Sequence, residues 1–163
     1  MLTAALASVC LALPAHLGII DPYREPACER CAGNRGVELA TRDGAPVAAG
    51  LSGTASWVGP VANRLYVVLR SSTDPRVRIT YGGLASTTVQ IGDMVGVGDP
   101  VGIARSDLFV GMRIGNVHVD PMRYAPASPD TTAAPPSGSA RPRFRFTLGG
   151  RASASCGASL PSR

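Results

Sequence analysis

Short alternating runs, each cut off by glycine or proline, limit the architecture open to this chain more than any other feature. Val77-Arg78-Ile79-Thr80-Tyr81 puts Val77, Ile79 and Tyr81 on one face of a strand. Arg64-Leu65-Tyr66-Val67-Val68-Leu69-Arg70 is β-branched and aromatic at its centre, where strands favour such residues. Val37-Glu38-Leu39-Ala40 alternates and stops at Arg42-Asp43-Gly44, a turn signal. Glycines crowd Gly92 to Gly102 too closely for a helix and suit tight corners between strands. Leu108 to Ile114 reads as a further strand, Gly115-Asn116 as a turn, and Val117-His118-Val119 as the closing strand. The expected fold is all-β, with antiparallel sheets joined by short hairpins, over residues 33–124.

With 163 residues the chain is expected to hold one such domain. Aromatic residues make up only 5% of it, so Val, Leu, Ile and Ala must fill the core. Residues 1–15 are apolar and end in small side chains, as the h-region of a secretory signal does. Pro14 and His16 interrupt the run before it could span a bilayer, so no stable membrane span is expected. Residues 16–32 form an extended lead-in, where Pro22, Pro26 and a close cysteine pair leave no room for a helix. Residues 125–163 turn to Ala, Pro, Ser, Thr and Gly, the composition of a disordered tail.

Net charge at pH 7 is +5, yet residues 1–140 carry 11 Arg against 11 Asp and Glu. The excess comes from Arg141, Arg143, Arg145, Arg151 and Arg163 in the tail. A nucleic-acid-binding surface on the folded part is therefore not expected. All sixteen basic residues are arginine. Lipoyl or biotinyl carrier chemistry, which needs an exposed lysine, is excluded despite the Gly92-Asp93-x-Val95 corner that such domains share.

Of four cysteines, Cys10 lies in the signal-like segment and is expected to leave with it. Cys28-Glu29-Arg30-Cys31 is the spacing of a short-loop disulfide or of half a zinc site. The disulfide is favoured, because export supplies an oxidising compartment and no second such pair exists.

Two segments carry the chemistry: Asn34-Arg35-Gly36-Val37-Glu38 and Asp107-Leu108-Phe109-Val110-Gly111-Met112-Arg113. They resemble the His-Arg-Gly-Val-Asp and His-Leu-His-Phe-Gly-Val-Arg motifs of the M23 (lysostaphin/LytM-type) zinc endopeptidases. The resemblance extends in collinear order through Gly44-Ala45-Pro46-Val47-Ala48-Ala49, Gly53-Thr54-Ala55, Thr80-Tyr81-Gly82-Gly83-Leu84, Val89 to Gly98, and Val119-Asp120-Pro121. It covers about half the chain, Gly33 to Pro121, and implies the M23 β-sheet core.

The resemblance also implies where zinc would sit, and those positions are altered. Asn34 stands for the first histidine ligand, Glu38 for the aspartate, Phe109 for the second histidine ligand, and Asp107 and Gly83 for the two histidines that serve the water and the transition state. Zinc hydrolysis needs three ligands, an open position and a group to handle the proton. An Asn amide oxygen is a poor ligand, Phe109 cannot coordinate, and Gly83 has no side chain. Neither bound zinc nor another cofactor is expected, and no catalytic residue. His16 and His118 are the only histidines. A shifted site using His118, Asp120 and Cys28 or Cys31 stays open, though His118 reads first as surface or packing. Glu38 and Asp107 read as polar residues of a groove, Phe109 as filler of the vacated volume, and Arg113 as a strand residue paired with a carboxylate. Tyr66 is expected in the core, while Trp57 is left between core and glycan stacking.

The resulting expectation is an exported, inactive M23-like domain. Its partner would be peptidoglycan or a cell-wall hydrolase, and its location extracytoplasmic, secreted or cell-wall associated. The alternative is a divergent, active zinc metalloendopeptidase acting on peptidoglycan.

Overall fold

The computed structural model describes residues 9–13, 17–28 and 30–126. Nine strands, β1 (Ile19–Asp21), β2 (Gly36–Ala40), β3 (Pro46–Ala48), β4 (Gly53–Val61), β5 (Arg64–Ser71), β6 (Val77–Ser86), β7 (Met94–Val95), β8 (Pro100–Ile114) and β9 (Val117–Val119), form one sheet. Its order is β1-β2-β8-β6-β5-β4-β7, with β3 and β9 both attached to β8, and every pairing is antiparallel. The all-β expectation holds. The tail expected over 125–163 lies, beyond Pro126, outside the described residues.

Alternation creates the core. Val37 and Leu39 of β2, Val67 and Leu69 of β5, Val77, Ile79 and Tyr81 of β6, and Leu108, Val110 and Met112 of β8 are all buried. They share one face of the sheet, since strand neighbours paired across antiparallel ladders project together. Burial of apolar area on this scale supplies most of the driving force for folding. The Tyr81 hydroxyl reaches the edge of this core and accepts a 2.7 Å hydrogen bond from the Gly50 N–H, and burial pushes its pKa up to about 12.

One strand differs from the sequence reading. β8 begins at Pro100 and runs 15 residues, so the glycine-rich corner feeds directly into it rather than into a separate strand at Leu108. Its first part pairs with β3 and its second with β2, β6 and β9. Within the signal-like segment, residues 9–13 pack against the sheet. Leu11 is fully buried with Val9 beside it, the Leu11 N–H donates to the Tyr124 carbonyl at 2.9 Å, and the Ala12 N–H donates to the Gly50 carbonyl at 2.8 Å. Cys10, expected to leave with a signal, is disulfide-bonded. An apolar run reads alike as a signal core or as a buried segment, and its residues 9–13 are packed.

A bulge re-aims one side of the sheet. Ala55 faces Leu69, but Trp57 faces Val68 rather than Val67, so the extra residue between them is Ser56. Side chains alternate with period two, so one inserted residue moves Trp57 from the core face to the open one. β4 and β5 are joined by Ala62 and Asn63, both at positive φ (46° and 65°), the geometry of a tight two-residue hairpin.

Candidate functional site

The open face of the sheet carries all the altered site positions that lie on strands. Glu38 pairs across with Phe109, Gly82 pairs with Phe109 from the other side, and Ala40 pairs with Asp107. Gly83 follows as the bulged residue of β6, where the ladder to β5 steps from Gly82 opposite Tyr66 to Leu84 opposite Leu65. Asn34 precedes β2 and forms an isolated bridge with Arg24.

Each position now has a local occupation. The Asn34 side chain pins the lead-in. Its Nδ2 donates to Asp21 Oδ2 at 3.1 Å and the Pro22 carbonyl at 3.2 Å, while its Oδ1 accepts from the Gly36 N–H at 3.3 Å. The only atom that could ligate a metal is thus turned to the backbone. The Arg24 guanidinium, hydrogen-bonded to Asp21, holds that carboxyl below the usual carboxylate range, and Asn34 adds to the effect.

Phe109 fills space that only glycine leaves. A Cβ on Gly36 would lie 2.5 Å from the Phe109 ring, and one on Gly111 would lie 3.0 Å from it. Tyr66 lies over Gly82 in the same way. The two rings meet edge to face with centroids 6.2 Å apart, a contact worth about 0.5–1.5 kcal/mol beyond its buried area. Tyr66, expected in the core, lies instead on the open face, because it pairs opposite Gly82 and shares that residue's side of the sheet. Trp57 is 38% exposed on the same face.

Gly83 sits at φ +77°, and a Cβ there would meet the Asp107 carbonyl at 2.9 Å and the Arg64 guanidinium at 3.0 Å. Glycine is the residue this bulge requires, since a side chain at that φ is strained. The space is used by Arg64, which forms an ion pair with Asp107. Both partners are about a third exposed, so the pair contributes at most about 1 kcal/mol. Glu38 is left as a half-buried carboxylate beside the aromatic pair.

The donor set does not fit zinc. Among the described residues no three His, Cys, Asp or Glu side chains converge in a group that could hold a metal. Cys28 and Cys31 are joined in a disulfide with Cα atoms 4.9 Å apart, which takes them out of any shifted site. His118 lies opposite Arg113, and its backbone carbonyl accepts from the Tyr23 hydroxyl at 3.0 Å. Burial lowers its pKa, and the charges of Arg113 and Arg35 lower it further. Arg113, expected to pair with a carboxylate, forms no ion pair with one among the described residues. It faces Arg78 on one side and His118 on the other.

A cavity of about 1090 Å³ lies on the opposite face of the sheet. It lies between Ala12–Leu13 and the turn around Asp43, over Tyr81, Leu108 and Val110, and contains none of the altered positions. The open face, which carries the substituted motif positions, is the better candidate on chemical grounds. Sequence reasoning located Glu38, Asp107 and Phe109 there but missed Arg64, because nothing in the pattern of β5 announces which carboxylate its first residue meets.

No family model matches the sequence, and no curated protein matches it. Solved structures do. The catalytic domain of a mutant of the prophage-encoded M23 protein EnpA from Enterococcus faecalis superposes at a TM-score of 0.59 with 19% identity, over 72% of this chain and 98% of that one. The catalytic domain of the antimicrobial peptidase lysostaphin from Staphylococcus simulans gives 0.58 with 21% identity, over 65% and 90%. A chain of the SpoIIIAH–SpoIIQ complex gives 0.57 with 15% identity, over 70% and 96%. The chain has the fold of the M23 peptidase domains.

Proposed function

We propose that this protein is a non-catalytic M23-fold domain that works outside the cytoplasm. Its open face binds peptidoglycan or a protein that acts on it. One observation supports the reading: where the motif would place two histidines, Phe109 packs on Gly36 and Gly111 and against the Tyr66 ring, and Asp107 is ion-paired with Arg64. The substitutions are therefore mutually consistent. Phe109 needs Gly36 and Gly111, Tyr66 needs Gly82, and Arg64 needs Gly83. Such agreement among neighbours marks a settled packing arrangement rather than an active site lacking one group.

Two further points support the setting. A disulfide at Cys28–Cys31 suits an oxidising compartment. The similar structures include a peptidase described as antimicrobial and a chain solved in complex with another protein, so the fold serves both hydrolysis and partner binding. No helix among the described residues is long and apolar enough to cross a membrane.

Co-sedimentation with purified sacculi tests the reading, using the full chain and one ending at residue 124. Sedimentation of both chains, without release of soluble fragments, is the expected result. The competing reading, a divergent zinc endopeptidase, requires fragments to appear and Glu38→Ala to abolish both metal binding and cleavage.

A further inference from the structure

Three arginines stand side by side on the open face. Arg70 of β5 pairs directly with Arg78 of β6, and Arg78 pairs directly with Arg113 of β8. Residues paired in this way project from the same side of a sheet, and adjacent strands lie about 4.8 Å apart, so the row spans roughly 10 Å. Like charges placed directly opposite one another destabilise a sheet. This row places them so twice.

Among the described residues no carboxylate forms an ion pair with this row. The ion pairs among the described residues are Arg24–Asp21, Arg64–Asp107 and Arg76–Asp74, and none involves the row. Thr54 flanks Arg70, and His118 flanks Arg113. Arg70 is exposed and Arg78 is half-buried. Arg113 Nε is shielded from solvent and has no hydrogen-bond partner. A buried guanidinium N–H left unpaired is costly, and native structures rarely leave one so. A solvated arginine face would not hide a donor in this way.

We propose that Arg70, Arg78 and Arg113 form a subsite for the carboxylate of a peptide lying along the open face. Guanidinium groups bind carboxylates through paired, charge-assisted hydrogen bonds, which a row of three presents several times over. The row also lies at a useful distance from the aromatic pair. Arg113 is four residues beyond Phe109 on β8, about 13 Å at the rise of a strand. An extended peptide of about four residues covers that span. At its other end lies Glu38, which suits an amine. A continuous polyphosphate fits less well, because Glu38 on the same face repels it. This inference deepens the proposed function, and it names the part of a peptidoglycan stem that the face would recognise.

Titration calorimetry on the full chain provides the test, with a synthetic stem tetrapeptide bearing free carboxylates and the same peptide fully amidated. Amidation is expected to weaken binding about tenfold or more, in line with loss of one charge-assisted contact. Arg78→Gln and, independently, the exposed Arg70→Gln are expected to weaken binding of the free peptide and leave the amidated one unchanged. Arg70→Gln keeps the test valid should changes nearer Arg113 unfold the chain. Equal affinity for the two peptides, no binding of either, or tighter binding of a polyphosphate would overturn the subsite. Intact sacculi separate the two claims. If they sediment the protein while amidation has no effect on the peptide, the subsite fails and the proposed function stands. If they do not sediment it while the peptide binds by its carboxylate, the reverse holds.

Discussion

At the scale of single residues, the altered site is a set of side chains matched to glycines, and that matching can be measured. Gly82 has room for no Cβ because the Tyr66 ring occupies the place, and the nearest atoms a Cβ would meet all belong to that ring. Gly82→Ala is therefore expected to lower stability by about 1–3 kcal/mol, the usual cost of overpacking. In a Tyr66→Ala background the same change should cost much less, so a double-mutant cycle by urea denaturation should show clear coupling. Additive effects would mean that the ring is not held there. Titration offers a second test. Burial, with Arg113 and Arg35, holds the His118 pKa below its ordinary 6.5. The fold thus favours the neutral imidazole. Its stabilising contribution is complete above about pH 6.5 and is lost as pH falls through the lower folded value. Stability followed from pH 7.5 to 5 should decline, and His118→Gln should flatten that part of the slope.

At the scale of elements, the strands were largely legible and their faces less so. Val77, Ile79 and Tyr81 alternate in the sequence and are all buried, since a half-buried strand writes its own period. Trp57 could not be placed from the pattern. The bulge at Ser56 shifts it by one position, and nothing in Thr54-Ala55-Ser56-Trp57 marks the insertion. Tyr66 was misplaced because a strand of uniformly apolar residues does not show which parity faces inward. Motif order alone brought Glu38, Asp107 and Phe109 into view, but the ring packing and the Arg64–Asp107 pair depend on contacts between distant strands. The N-terminal segment carries its own prediction. Leu11 is fully buried and hydrogen-bonded through its backbone to Tyr124. Leu11→Ala should destabilise the full chain by about 2–5 kcal/mol, the range for emptying a buried leucine site. Thermal or chemical denaturation would show it, and an unchanged midpoint would mean that the segment lies outside the cooperative fold.

For the whole molecule, the sheet has the fold of the M23 peptidase domains, and the proposed function places binding on its open face. Its open face carries an aromatic pair and an ion pair at the substituted motif positions and, further along the strands, a row of arginines. Fold similarity at around 20% identity fixes the architecture, while function follows from the side chains on the face. Zinc measured per chain decides the matter most directly. The purified full chain is equilibrated with excess zinc, desalted and analysed for metal, then incubated with peptidoglycan. A non-catalytic domain should hold far less than one zinc per chain and cleave no peptide bond. One zinc per chain together with released muropeptides would contradict it.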